Sequence, residues 1–203
     1  MKKTILIQVF ITIASAILFT SCSSNDDFKQ EEHQQSVIVS SFSPDEFTKS
    51  LNGVSDFVST KTRNAAYNEE EAQNVIKPFI IDGKNIQNQL LDDNTLSTEQ
   101  KDSIENLSDE ELAVLSVIAY SAIEAEGDGL TTRTTYPTNK RLYCVSTALV
   151  GGGSFSGAAL LTVLRKVGTR TFLRMSLSAF GGFVGGAITV AMYLNDYNTC
   201  MNS

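Results

Sequence analysis

The apolar positions of this chain fall into two regimes. Up to about residue 129 they recur at helical spacing between clusters of acidic and polar residues. Beyond that point they run together among glycines. In the first regime Ser43-Pro44-Asp45-Glu46 predicts a helix start. Ser43 caps, Pro44 suits the first helical position, and Glu46 closes a capping box. Phe47, Leu51, Val54 and Val58 then share one face, with Gly53 weakening the helix and Lys61 to Asn68 reading as a polar break. Val37 to Phe42, just upstream, reads as a short strand or a first contact with the core.

A second helix is expected from Glu69 to about Lys77, with Ala72, Val75, Ile76, Phe79 and Ile80 on one side. Pro78 is expected to end or kink it, and Asp82-Gly83 to mark a turn. Ile86, Leu90 and Leu91 suggest another short helix, closed by Asp92-Asp93-Asn94. Ser97 with Gln100 and Ser108 with Glu111 are further capping boxes, and Leu107 with Leu112 forms a hydrophobic staple around the second. Leu112, Leu115, Ile118, Ala119, Ala122 and Ile123 then outline the most regular apolar face in the chain.

The second regime is different. Val145 to Leu164 and Met175 to Leu194 each run for about twenty residues without a charge, a length that can cross a bilayer. Arg165, Lys166, Arg170 and Arg174 cluster around Gly168 between them, so the pattern predicts a helical hairpin with a basic turn. Gly153 with Gly157, Gly181 with Gly185 and Gly182 with Gly186 are spaced four apart, which puts small residues on one face and allows close helix approach. Cys144 and Cys200 flank the pair of arms, so a disulfide between them would close the hairpin's open end. The fold class expected is all-α: an acidic multi-helix N-terminal half and a glycine-rich, disulfide-closed helical hairpin.

Charge sharpens that division. From Ser23 to Gly129 there are 22 acidic and 7 basic residues, a balance of −15; from Leu130 to Ser203 there are 1 and 7, a balance of +6. Two arrangements fit: an acidic half covering a basic, apolar one, or two solvated faces of one helical protein.

The N-terminus carries its own signals. Lys2 and Lys3 precede an apolar stretch from Thr4 to Leu18, too short for a comfortable transmembrane helix. Leu18-Phe19-Thr20-Ser21-Cys22 follows. This resembles the lipobox of bacterial lipoproteins, with Ser21 and Thr20 as the small residues and Phe19 where Leu is common. The resemblance implies that residues 1–21 are a signal peptide and that Cys22 becomes the first residue. It also implies fatty-acyl (palmitate-type) chains on Cys22, which anchor the protein to a lipid bilayer. Residues 22–36 are polar and Gln-rich and read as a tether. Asp26-Asp27 resembles the export signal of some Gram-negative surface lipoproteins. That implies the outer membrane, with the cell surface favoured over the periplasmic face. The remaining expected boundaries are 37–129 for the acidic helical region, 130–143 for a linker and 144–203 for the hairpin. Arg133 and Lys140-Arg141 are candidate protease sites in that linker.

Candidate chemistry is sparse. The single histidine, His33, lies in the tether. An oxidising envelope makes a Cys144–Cys200 bond the default for the remaining thiols. No stretch has calcium-loop or Gly-x-Ser-x-Gly spacing, and Gly151-Gly152-Gly153 lacks the Lys-Ser/Thr of a phosphate loop. Glu69-Glu70-Glu71 and Asp92-Asp93 sit where caps and turns expect acids. No cofactor, metal or nucleic-acid partner is expected. The expected role is non-enzymatic binding or structure. The alternatives are a tethered precursor of a membrane-active, bacteriocin-like hairpin, with residues 145–194 contacting lipid, and a carboxylate-based hydrolase.

Overall fold

Helix starts in this protein are written locally, in short hydrogen-bonded loops, and the computed structural model shows three of them as reciprocal pairs. It describes residues 38–64, 66–92, 94, 96–127, 140–150, 157–180 and 186–203. Seven helices occur among them: α1 Pro44–Asn64, α2 Glu69–Leu91, α3 Thr98–Glu105, α4 Asp109–Gly127, α5 Lys140–Val150, α6 Gly157–Phe180 and α7 Ala187–Asn202. No strand occurs among the described residues, so the protein is all-α.

At α1 the Ser43 N–H donates to Glu46 Oε2 (3.0 Å) while the Glu46 N–H donates to Ser43 Oγ (3.3 Å). Ser97 with Gln100 and Ser108 with Glu111 repeat the exchange at α3 and α4. Each pair satisfies donors that a helix start would otherwise leave open. Asn68, read as part of a polar break, caps α2 by accepting from the Glu70 N–H at 2.9 Å.

Two expectations for α2 are corrected. The helix runs through Pro78 to Leu91, and Asp82-Gly83 lies inside it rather than in a turn. A mid-helix proline costs about 3 kcal/mol. Here that is offset by one long buried face: Ala72, Ile76, Phe79, Ile80, Gly83, Ile86 and Leu90. Pro78 itself is on the exposed side. Gly83 is needed for contact rather than for a turn. A Cβ there would lie 2.1 Å from the Leu112 carbonyl oxygen, so α2 and α4 meet backbone to backbone at this point.

α4 is the axis of the fold. It packs on α2, α5, α6 and α7, and every residue from Leu112 to Ala122 is buried, where the sequence outlined one face. A helix buried all round has no polar face to give a periodic signal. α7 lies against α1, α2, α4 and α5, with Ala187, Val190, Ala191, Leu194 and Tyr197 no more than 1% exposed. Residues 36–203 thus form one compact unit, with the acidic and the glycine-rich halves sharing a single core. Phe47 of α1 stacks on Tyr120 of α4 (centroids 3.7 Å apart) and meets Tyr197 of α7 edge-on at 6.2 Å.

The glycine-rich half is divided among three helices. The first expected arm is shared by α5 and the start of α6, the second by the end of α6 and α7. A run of uncharged residues measures the absence of charge, and glycine lowers helix propensity wherever it falls in such a run. Gly168, in the expected basic turn, does break the helix: its φ of 77° and ψ of 158° separate two helical segments within α6. Only glycine adopts that backbone readily. The expected disulfide is present. Cys144 near the start of α5 bonds Cys200 near the end of α7, with Cα atoms 5.6 Å apart.

Candidate functional site

Among the described residues, buried polar side chains are drawn together at two places, apart from Ser146 of α5 and Arg170 and Ser176 of α6. The first is Asp82, 1% exposed on the inner face of α2. Its Oδ1 accepts from the Ser41 N–H (2.5 Å), Ser41 Oγ (2.7 Å) and Ser40 Oγ (3.0 Å), and its Oδ2 accepts from Ser116 Oγ (2.6 Å) on α4. A buried carboxylate is tolerated when its lone pairs are taken up in this way. Two turns along α2, the Gln89 side chain accepts from the Val39 N–H (2.8 Å) and donates to the Val39 carbonyl (2.7 Å). Residues 38–42 are thereby pinned across α2. Of the two readings for that stretch, the first contact with the core is the one observed: Ile38 is 3% exposed, and Phe42 packs on Phe47 and Phe79.

The second place joins the two halves. Tyr197 of α7 shares a hydrogen bond with Ser121 of α4 at 3.0 Å, and burial pushes its phenol up to about 12. Burial likewise holds the Tyr193 phenol well above its ordinary value. Tyr120 is raised by burial and by Glu124 nearby. Glu124 in turn pairs with Arg141 of α5 at 3.3 Å, and the Arg141 guanidinium lies 6.0 Å from the centre of the Tyr120 ring. Asn198 Nδ2 reaches across to α1, donating to Ser55 Oγ (2.8 Å) and Asn52 Oδ1 (3.3 Å). These contacts fix α7 and α5 against α4 and α1. The Tyr197–Ser121 and Asn198–Ser55 hydrogen bonds thus dock helices distant in sequence against one another.

On the outer surface, Glu46, Lys49, Ser50, Gly53, Asn74, Val75 and Pro78 line a shallow open groove between α1 and α2. Glu46 is already engaged with Ser43, and those hydrogen bonds hold its carboxyl below the usual range.

The residues singled out from sequence are placed as follows. Cys144 and Cys200 are bonded. Gly186 caps the start of α7, and a Cβ there would meet the Glu69 carboxylate at 2.3 Å, so a side chain from α2 fills that space. Gly157 opens α6. Cys22, His33, Arg133, Gly153, Gly181, Gly182 and Gly185 lie outside the described residues. Lys140 and Arg141 begin α5, three residues before the expected end of the linker. Glu69, Glu70 and Glu71 form the first turn of α2. Among the described residues, no group of three or more His, Cys, Asp or Glu side chains could hold a metal ion.

Asp82, Ser116, Ser121, Tyr197 and Asn198 escaped the sequence reading as functional positions. One signal was present for the first three: each is a lone polar residue inside an apolar helical stripe. Comparison with protein families, with curated proteins and with solved structures gave no match.

Proposed function

We propose that this protein is an outer-membrane lipoprotein held to the bilayer by acyl chains on Cys22, and that its helical body serves a non-enzymatic binding or structural role. The observation that carries the reading is the position of α7. Residues 187–194, the last part of the second uncharged run, belong to α7 and pack with it against α1, α2, α4 and α5. No helix among the described residues is long and apolar enough to cross a membrane. This supports assigning bilayer attachment to the acylated cysteine, since a single acyl chain is marginal and two or more hold stably. The polar groups around Asp82 and, separately, those around Tyr197 form hydrogen bonds that brace helices, which supports a body built for shape over one built around a reacting centre.

Intact-mass analysis of the native protein from membranes tests the reading. The expected mass is that of the chain from Cys22 with its acyl groups. A chain retaining residues 1–21, or beginning at an unmodified Cys22, would overturn it.

The alternative, a shielded membrane-active hairpin, would need α7 to leave four helices and give up the Tyr197–Ser121 and Asn198–Ser55 bonds. Dye release from anionic vesicles by a peptide of residues 142–203 at micromolar concentration would favour it. Silence in that assay would remove it.

A further inference from the structure

Residues 38–42 are attached to the fold differently from everything that follows them. The helices hold one another by interlocked apolar faces. This segment is fastened by five hydrogen bonds that all end on two side chains of α2, Asp82 and Gln89. Those side chains are seven residues apart and so share one face, two turns separated. Gln89 reads both the N–H and the carbonyl of Val39, as a neighbouring strand would. Asp82 reads the Ser41 N–H and both hydroxyls. Because Val39 meets Gln89 and Ser41 meets Asp82, the segment runs antiparallel to α2. Its apolar hold is confined to its two ends, Ile38 in the core and Phe42, whose ring packs on Phe47 and Phe79. Ile38 is buried and Phe42 is half-buried, while the Val39 side chain is 57% exposed.

We infer that residues 38–42 form a latched strap, which opens and closes as a unit while the helical core stays folded. Asp82 and Gln89 are its catches. On opening, the strap gives up its seat and α1 stays docked through Phe47, whose ring is held by Phe79, Tyr120 and Tyr197. Asp82 keeps the Ser116 hydroxyl on its other oxygen, and the vacated side of the carboxylate becomes accessible to water. Regions held by few apolar contacts and by polar bonds near the surface open at lower free energy than the core. Release frees five residues, at most about 18 Å of extended chain, immediately ahead of α1. The inference rests on the geometry of residues 38–42 alone and holds whether or not Cys22 is acylated.

Amide hydrogen exchange on the chain from Ser23 onward, resolved by residue, tests it. The amides of Val39, Ser41 and Phe42 should exchange at least a hundredfold faster than those of Leu115 to Ala119. Gln89→Ala should raise exchange at Val39 and Ser41 a further tenfold or more and leave α4 within twofold of wild type. Asp82→Asn should act in the same direction. Strap amides as protected as α4 would overturn the inference. So would a Gln89→Ala variant whose exchange rises equally in strap and core, because strap and helices would then open together. Gln89 is a partly exposed side chain, so this variant keeps the test usable if Asp82→Asn does not fold.

Discussion

Two glycines in neighbouring helices should respond in opposite senses to the same substitution, and the difference measures how closely α2 and α4 approach. Gly83 sits where a Cβ would come 2.1 Å from the Leu112 carbonyl oxygen and 2.6 Å from its carbon, against a floor of 3.0 Å for real Cβ contacts. The obstacle is backbone, so relief requires α2 and α4 to separate or rotate. Inserting a methyl into such a contact costs about 1–3 kcal/mol, occasionally more. Removing a helical glycine returns roughly 0.5–1 kcal/mol. The helices concerned carry Phe79, Ile86, Leu112 and Leu115 on either side of the crossing, all 2% exposed or less, so separation would also loosen those contacts. Gly83→Ala should therefore lose about 1–2 kcal/mol net, a fall in Tm of roughly 2–8 °C at 2–4 °C per kcal/mol. Gly53 has nothing within 4 Å of its Cβ position and is exposed in α1. Gly53→Ala should gain about 0.5–1 kcal/mol. Urea denaturation of both variants and the wild type, followed by far-ultraviolet circular dichroism, reads the two values side by side. Gly83→Ala as stable as Gly53→Ala would refute the reasoning, because the helices could not then cross at that residue.

Other expectations follow from the junction between the two halves. Tyr197→Phe leaves the Ser121 hydroxyl buried without its partner and should cost about 1–2 kcal/mol in the same urea assay. Alkaline titration should lower stability, because Tyr197 binds its proton more tightly in the fold, at about 12 against an ordinary 10. Its contribution is complete below about pH 10, declines as pH rises toward 12, and is on the order of 2–3 kcal/mol once lost. Denaturation midpoints measured across pH 8 to 12 should therefore fall, and a flat profile would show that Tyr197 is not buried as described. Reducing the Cys144–Cys200 bond, which links residues 56 apart, should cost about 4 kcal/mol by relaxing the unfolded chain, with helix content unchanged before the transition.

Local signals were the legible ones. The three Ser-led capping boxes and the apolar face of α1 were readable because the residues that decide them lie within a few positions of one another. Pro78 and Asp82-Gly83 misled for the complementary reason. Each breaks helices in isolation, and each is retained here because the partner that makes it acceptable is distant in sequence: the buried face against α4, the Ser40, Ser41 and Ser116 donors, and the Leu112 backbone. Asp82 was thus visible as a residue and invisible as a node. The disulfide was legible from the placement of Cys144 and Cys200 at either end of the glycine-rich half. The division of the second half into α5, α6 and α7 was not, since uncharged length carries no information about where a helix ends. The charge asymmetry between the halves pointed to covering or to two faces. What joins them includes the edge-on rings of Phe47 and Tyr197, Tyr197 on Ser121, Asn198 on α1, and the Arg141–Glu124 pair.

The decisive question is whether α5, α6 and α7 belong to a protein core. Sedimentation of the chain from Ser23 with anionic vesicles carrying an entrapped dye, with the disulfide intact, asks this directly. The protein should stay in the supernatant, keep its near-ultraviolet dichroism and release no dye. Co-sedimentation with dye release would place the glycine-rich half in lipid and contradict the fold's assignment of α7 to the interior.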